Sequence, residues 1–190
     1  FKNKKIIEHE KINYISYPYE WSFDQLKDAA LHHLNFHLFL LDNNATLIDG
    51  SAYNIQFNGY KPVFIDLLSI KEYNEGEYWN AHKQFCENFL NPLILKSKKQ
   101  IDFNNWFRGN LEGITTKDLN SILNLKDKFS FNILTQVVLL NFLKKKTIKN
   151  KKTNIKSIKK RKFPKKSYIG LLRNMKKLIE SMEIKKTKTM

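Results

Sequence analysis

The dipeptide Asn58-Gly59, with Ile55 and Phe57 before it and Val63 and Ile65 after it, constrains the fold more than any other short stretch of the chain. Alternation of period two on both sides of Asn-Gly calls for two antiparallel strands joined by a two-residue type I′ turn, in which both central residues take positive φ. Counting outward from that turn sets Phe57 opposite Tyr60 and Asn54 near Val63, and brings Asp66 back beside the start of the first strand. Asp49, Asn54 and Asp66 are therefore expected around one short hairpin. Carboxylate and carboxamide oxygens gathered in this way can hold a divalent cation or handle a proton. The same residues also have plain structural uses. Asp49-Gly50 is a turn dipeptide, Asn54 can satisfy amides at a strand edge, and Asp66 can cap the segment that follows it.

Upstream, Ser22-Phe23-Asp24-Gln25 reads as a capping box and predicts a helix start. Leu26, Ala30, Leu34, Leu38 and Leu41 recur at helical spacing until Asp42-Asn43-Asn44 stops the pattern. A helix, a short turn and an Asp five residues before an Asn is the order found in kinase-like phosphotransferases, and the chain resembles the aminoglycoside and choline type. That resemblance implies a kinase-like C-lobe in which Asp49 orients or deprotonates an acceptor hydroxyl while Asn54 and Asp66 hold Mg²⁺ against nucleotide phosphates. The chain departs from the pattern at Leu47-Ile48, where kinases carry His and Arg, and at Leu67-Leu68, which replace Phe-Gly. The 21 residues before Ser22 are also too few for a kinase N-lobe with its glycine-rich flap and strand lysine.

A second resemblance covers residues 5 to 180 in roughly collinear blocks. Ile15-Ser16-Tyr17-Pro18-Tyr19-Glu20-Trp21, Leu26-Lys27-Asp28-Ala29-Ala30, Asp49-Gly50-Ser51-Ala52-Tyr53-Asn54 and Pro62-Val63-Phe64-Ile65-Asp66 are similar to the N-terminal region of a bacterial family of class I SAM-dependent methyltransferases. The similarity continues through Gln84 to Leu93, Arg108 to Ile114 and Phe163 to Lys166. It implies that the chain is the accessory region of a transferase whose SAM-binding core comes later in the polypeptide, so that the partner is a missing C-terminal methyltransferase domain. The glycines agree with this. The six of them, at 50, 59, 76, 109, 113 and 170, nowhere form the G-x-G spacing that brings backbone against an adenosyl or pyrophosphate group. SAM is therefore expected for the longer family protein and not for this chain. A start at Phe1, with no apolar signal-peptide core behind it, reads as a fragment.

Charge divides the chain. Between Lys144 and Met190 there are 19 Lys or Arg against Glu180 and Glu183, a net +17, whereas residues 1–143 carry −1. The reading is a kinase-like helical body over 1–143, a basic linker over 144–166 and an amphipathic helix over 167–183. Ser167 is the expected cap of that helix, and Tyr168, Leu171, Leu172, Met175, Leu178, Ile179 and Met182 form its apolar stripe. The stretch Lys144–Lys166 would attract nucleic acid or another anionic surface non-specifically, through counterion release. Only three arginines accompany 31 lysines, so bidentate base readout has few candidates.

The remaining signals give an α+β, mainly helical fold. Trp79, His82, Phe85, Cys86, Phe89, Leu90 and Leu93 predict a core helix running up to Pro92 and the Lys96–Lys99 charges, and Thr115 opens a short helix. Residues 129–143 are the most apolar run, but Asn132, Thr135, Gln136 and Asn141 interrupt it, and it falls short of the ~20 residues that span a bilayer. It reads as a buried core helix. The single cysteine, Cys86, allows no internal disulfide, reads as inert packing, and fits a cytoplasmic location. His33 and His37 lie four apart on the first helix without further ligands at metal-binding spacing, and read as surface or interface residues rather than a zinc site. Ser51 lacks the G-x-S-x-G elbow of a serine hydrolase.

Overall fold

The computed structural model describes residues 8–124, 127 and 163–184. The architecture is α+β and mainly helical, built around a central helix α1 (Phe23–Asp42). Its capping box forms as the sequence requires. Ser22 Oγ accepts from the Gln25 amide at 3.2 Å, and Gln25 Oε1 accepts from the Ser22 amide at 2.9 Å. The helix stops where Asn44 takes φ +56°, a left-handed conformation that asparagine tolerates.

Four short strands follow: β1 (Ala45–Leu47), β2 (Ile55–Asn58), β3 (Lys61–Phe64) and β4 (Ile70–Glu72). They make two antiparallel pairs, one nested inside the other. The inner hairpin pairs β2 with β3 and the outer ladder pairs β1 with β4. The expected hairpin is present, but its turn lies one residue further along. Asn58 pairs with Lys61 and Phe57 with Pro62, so Gly59 and Tyr60 are the loop residues, not Asn58 and Gly59. Gly59 has φ +62° and Tyr60 does not share a positive φ, the combination of a type II′ turn with Gly first. Asn54 accordingly meets Ile65, whose amide donates to the Asn54 carbonyl at 2.9 Å, and not Val63. Pro62 on an edge strand costs no ladder bond.

After the strands comes one continuous helical run with a defect. It consists of α2 (His82–Phe85), a π turn (Cys86–Leu90) and α3 (Asn91–Lys99). The sequence placed its end at Pro92 and the Lys96–Lys99 charges; the helix passes through Pro92 and stops at Lys99. A proline has no N–H to give and crowds the carbonyl one turn before it. Widening that turn lets the Asn91 amide reach back five residues to the Cys86 carbonyl and relieves the crowding. The run ends at Gln100, which has φ +59°. Two short helices, α4 (Asn104–Gly109) and α5 (Thr116–Ile122), complete this part, and Thr115 Oγ1 caps α5 by accepting from the Asp118 amide at 3.1 Å.

The last described helix, α6 (Lys165–Glu180), begins two residues before the expected Ser167 cap, with Pro164 preceding it and no side-chain cap. Its apolar stripe is buried against the body: Tyr168, Leu172, Met175, Leu178, Ile179 and Met182 all join the core around α1. Each side chain removed from water contributes about 1.5–3 kcal/mol, enough to hold a helix whose preceding sequence has no apolar pattern. Lys27 of α1 fixes the far end by donating Nζ to the carbonyls of Glu180 (3.0 Å) and Met182 (2.7 Å), where a cation also complements the helix dipole. The proposed helix over 129–143 and most of the 144–166 linker lie outside the described residues. No helix among the described residues is long and apolar enough to cross a membrane.

Candidate functional site

The nested ladders create the site. The outer ladder ends at the bond from the Ile48 amide to the Ser69 carbonyl, and the inner one at the bond from Ile65 to Asn54. Between them the two chains part, so that residues 49–54 face residues 66–69 across an interruption in one long β-ribbon. Asp49, Asn54 and Asp66 all lie in this interruption.

Asn54 and Asp66 meet directly, with Asn54 Nδ2 donating to Asp66 Oδ2 at 3.2 Å. The other carboxylate oxygen of Asp66 accepts from the Leu68 amide at 3.1 Å and caps the 3₁₀ turn Leu67–Ser69. Asp49 is engaged locally as well, its Oδ1 accepting from the Ser51 amide at 2.8 Å. Among the described residues no hydrogen bond joins Asp49 to Asn54 or Asp66. Gly50 fixes the position of the loop, because a Cβ there would come within 2.8 Å of the Ala81 carbonyl and 2.9 Å of the Phe85 amide nitrogen. Two side chains of the helical run then hold the loop in place. Gln84 Oε1 accepts from the Gly50 amide and Asn88 Oδ1 accepts from the Ala52 amide, each at 3.0 Å.

This donor set does not fit Mg²⁺ as it stands. A hard cation requires several free oxygens, but Asp66 has both oxygens occupied by N–H groups and Asn54 presents its NH₂ to the carboxylate. Among the described residues no group of three or more His, Cys, Asp or Glu is arranged to hold a metal ion.

The buried polar chemistry lies beneath the loop instead, at His33 and His37. These are not surface histidines. Both are fully buried, in a shell that includes Trp79, Phe85 and Phe89. Desolvation disfavours the imidazolium, lowering the His33 pKa to about 4 and the His37 pKa well below its ordinary value. His33 Nε2 lies 3.3 Å from the Asp49 carbonyl oxygen. His37 Nε2 accepts from the Leu47 amide at 3.3 Å, which leaves its proton on Nδ1. The same Nε2 lies 2.8 Å from Thr46 Oγ1 and 3.2 Å from the Tyr168 hydroxyl, and the two hydroxyls are 3.2 Å apart. A helix, a strand and the C-terminal helix thus meet at one neutral imidazole. The sequence carried a signal for this: His33 and His37 fall on the same helical stripe as Ala30, Leu34 and Leu41.

Cys86 is buried as expected, with its sulfur 3.8 Å from His82 Nε2. A separate cleft of about 620 Å³ opens on the outer face of the hairpin, lined by Ile12, Ile15, Gln56, Val63, Ile65 and Leu67 among others.

Fold and loop together define a mainly helical α+β unit that presents a clamped, interrupted β-ribbon. Compared with known proteins, the chain is 39% identical over 180 residues to the nodulation protein NoeA of Rhizobium meliloti (strain 1021). The match takes in 95% of this chain and 38% of NoeA, so the chain spans well under half the length of that relative. No family model matches the chain, and no solved structure matches it.

Proposed function

We propose that the chain is the accessory, kinase-like portion of a SAM-dependent methyltransferase-family polypeptide, one that supports a SAM-binding core located elsewhere in the longer protein. The observation behind the accessory part of this reading is that nearly the whole chain corresponds to 38% of a longer protein; the methyltransferase part rests on the sequence resemblance alone. The sequence blocks that resemble the N-terminal region of methyltransferases support it, as does the lack of any G-x-G spacing among the six glycines. In this role the Asp49–Asn54 loop, held by Gln84 and Asn88, is a rigid edge and not a cofactor cradle. Calorimetric titration of the chain with SAM should give no binding heat, and micromolar affinity for SAM would overturn the reading.

The contact between Asn54 and Asp66 favours a second reading, a phosphotransferase-like or Mg-nucleotide-binding module. In that case Asn54 would rotate its oxygen towards a cation shared with Asp66. Titration with Mg-ATP discriminates the two. Binding that Asp66→Asn abolishes supports the module, and absence of binding leaves the accessory role.

A further inference from the structure

The outward side of α6 carries Lys166, Arg173, Asn174 and Lys177, all exposed. Spacings of seven and four residues line the three cations up along one stripe, over about 16 Å of helix axis. Among the described residues the ion pair on this helix is Lys176–Glu180, and none of the three stripe cations takes part in one. The helix that bears the stripe is tied to the body at both ends. Tyr168 anchors the first turns of the helix through Thr46 and His37, and Lys27 holds the last carbonyls. In the sequence, 11 further basic residues lie between Lys144 and Lys162, and Lys185, Lys186 and Lys188 follow the helix.

We infer that this stripe is a docking ledge for the phosphodiester backbone of a nucleic acid. An amphipathic helix binds a bilayer by sinking its apolar face into it. Here that face is already committed, with Leu172, Met175 and Ile179 fully buried against the body. What α6 offers outward is three cations, the Asn174 amide and the Ser167 hydroxyl, groups that contact phosphates without reading bases, together with Glu180 at its end, whose charge is paired with Lys176. A duplex presents a phosphate charge every ~1.7 Å of its axis, so the stripe faces several at once. Binding is therefore independent of sequence and falls as salt rises. This inference does not rest on the methyltransferase reading.

The test is fluorescence anisotropy of a labelled duplex with the full chain over a salt series, using two variants of equal charge change. One is Lys166→Glu/Arg173→Glu/Lys177→Glu. The other is Lys61→Glu/Lys98→Glu/Lys117→Glu, at lysines exposed elsewhere on the body. The stripe variant should lose at least about tenfold in affinity at about 0.1 M salt, and its log–log salt slope should become shallower by about 3. The control should stay within about threefold of the parent, and both should keep the parent's far-UV circular dichroism. Equal losses in the two variants, or no loss in the stripe variant, would overturn the inference. Anionic phospholipid vesicles provide the other arm: if the stripe variant loses vesicle binding while its duplex affinity is unchanged, the ledge belongs to a membrane surface and the proposal fails.

Discussion

Acidification below about pH 6.5 should destabilise this protein through His33 and His37. His33 has a folded pKa of about 4 against an ordinary value of 6.5, because burial removes the water that would stabilise an imidazolium. Above pH 6.5 neither the folded nor the unfolded state holds the extra proton, and the full stability is present. Between 6.5 and about 4 the unfolded chain takes the proton and the folded one does not, so stability falls by up to ~1.4 kcal/mol per pH unit. His33 alone then accounts for about 3 kcal/mol by pH 4. His37, lowered for the same reason, steepens the slope over the same window. Protonating it also removes the acceptor for the Leu47 amide. Glu87 opposes the trend, since burial raises its pKa and its folded form gains relative stability on protonation. Glu77 and Asp127, whose pKa values are lowered chiefly by hydrogen bonds from Lys71 and Lys99, lose their contributions only as pH falls below the ordinary carboxylate range. Urea unfolding followed by tryptophan fluorescence should show a loss of at least about 2 kcal/mol between about pH 7 and pH 5, the part that His33 alone supplies. Stability that is flat or rising over that interval would refute the burial of two neutral imidazoles.

Other substitutions test other parts of the fold. Gly113→Ala places a Cβ into the Glu87 carbonyl at φ +81° and should cost about 3 kcal/mol or more in chemical denaturation, whereas Gly109→Ala, with nothing within 4 Å, should cost little. Tyr168→Phe removes the hydroxyl that meets Thr46 and His37 and should lower the thermal midpoint, at a cost of about 1–2 kcal/mol. Leu172→Ala should cost about 2–5 kcal/mol as a buried truncation, and Leu68→Ala, at a side chain 92% exposed, should leave the midpoint unchanged. Asp66→Asn removes a carboxylate that caps Leu68 and accepts from Asn54; about 1 kcal/mol is expected, and a neutral result would show that the contact adds nothing to stability.

Local chemistry made part of the fold legible. The Ser22–Gln25 box, the Thr115 cap and the apolar stripe of α6 each rest on interactions within a turn or two, and each appears where the sequence put it. The hairpin was legible but its turn was not, since Asn58-Gly59 and Gly59-Tyr60 both suit a two-residue loop and leave the same residues on the inward face. The outer ladder is not legible in the sequence because β1 and β4 are only three residues each and pair across more than twenty positions. The candidate site was partly readable: the approach of Asn54 to Asp66 follows from the hairpin, and the turn at Asp49 and the capping of the next segment by Asp66 are the plain uses those residue types suggest. The burial of the histidines was open to discovery from the helical stripe, but their partners Thr46 and Tyr168 come from distant parts of the chain.

The π turn at Cys86–Leu90 also determines where the length of this chain can vary. An α-helix advances about 100° per residue, and one residue more or less in that turn would rotate everything after it by that angle. Leu93, Ile94 and Leu95, buried on successive sides of the helix, would each be turned into packing shaped for a neighbour, and Asn91 would lose the Ile114 carbonyl that its Nδ2 now meets at 2.8 Å. The bulge thus acts as a phase setting: it brings the stapling face of Gln84 and Asn88 and the packing face of α3 into register with different neighbours. Substitutions within it are local events, but a change in its length is felt along the whole of α3. Descendants of this sequence are therefore expected to gain and lose residues in the exposed loops and to keep the count between His82 and Lys99 fixed.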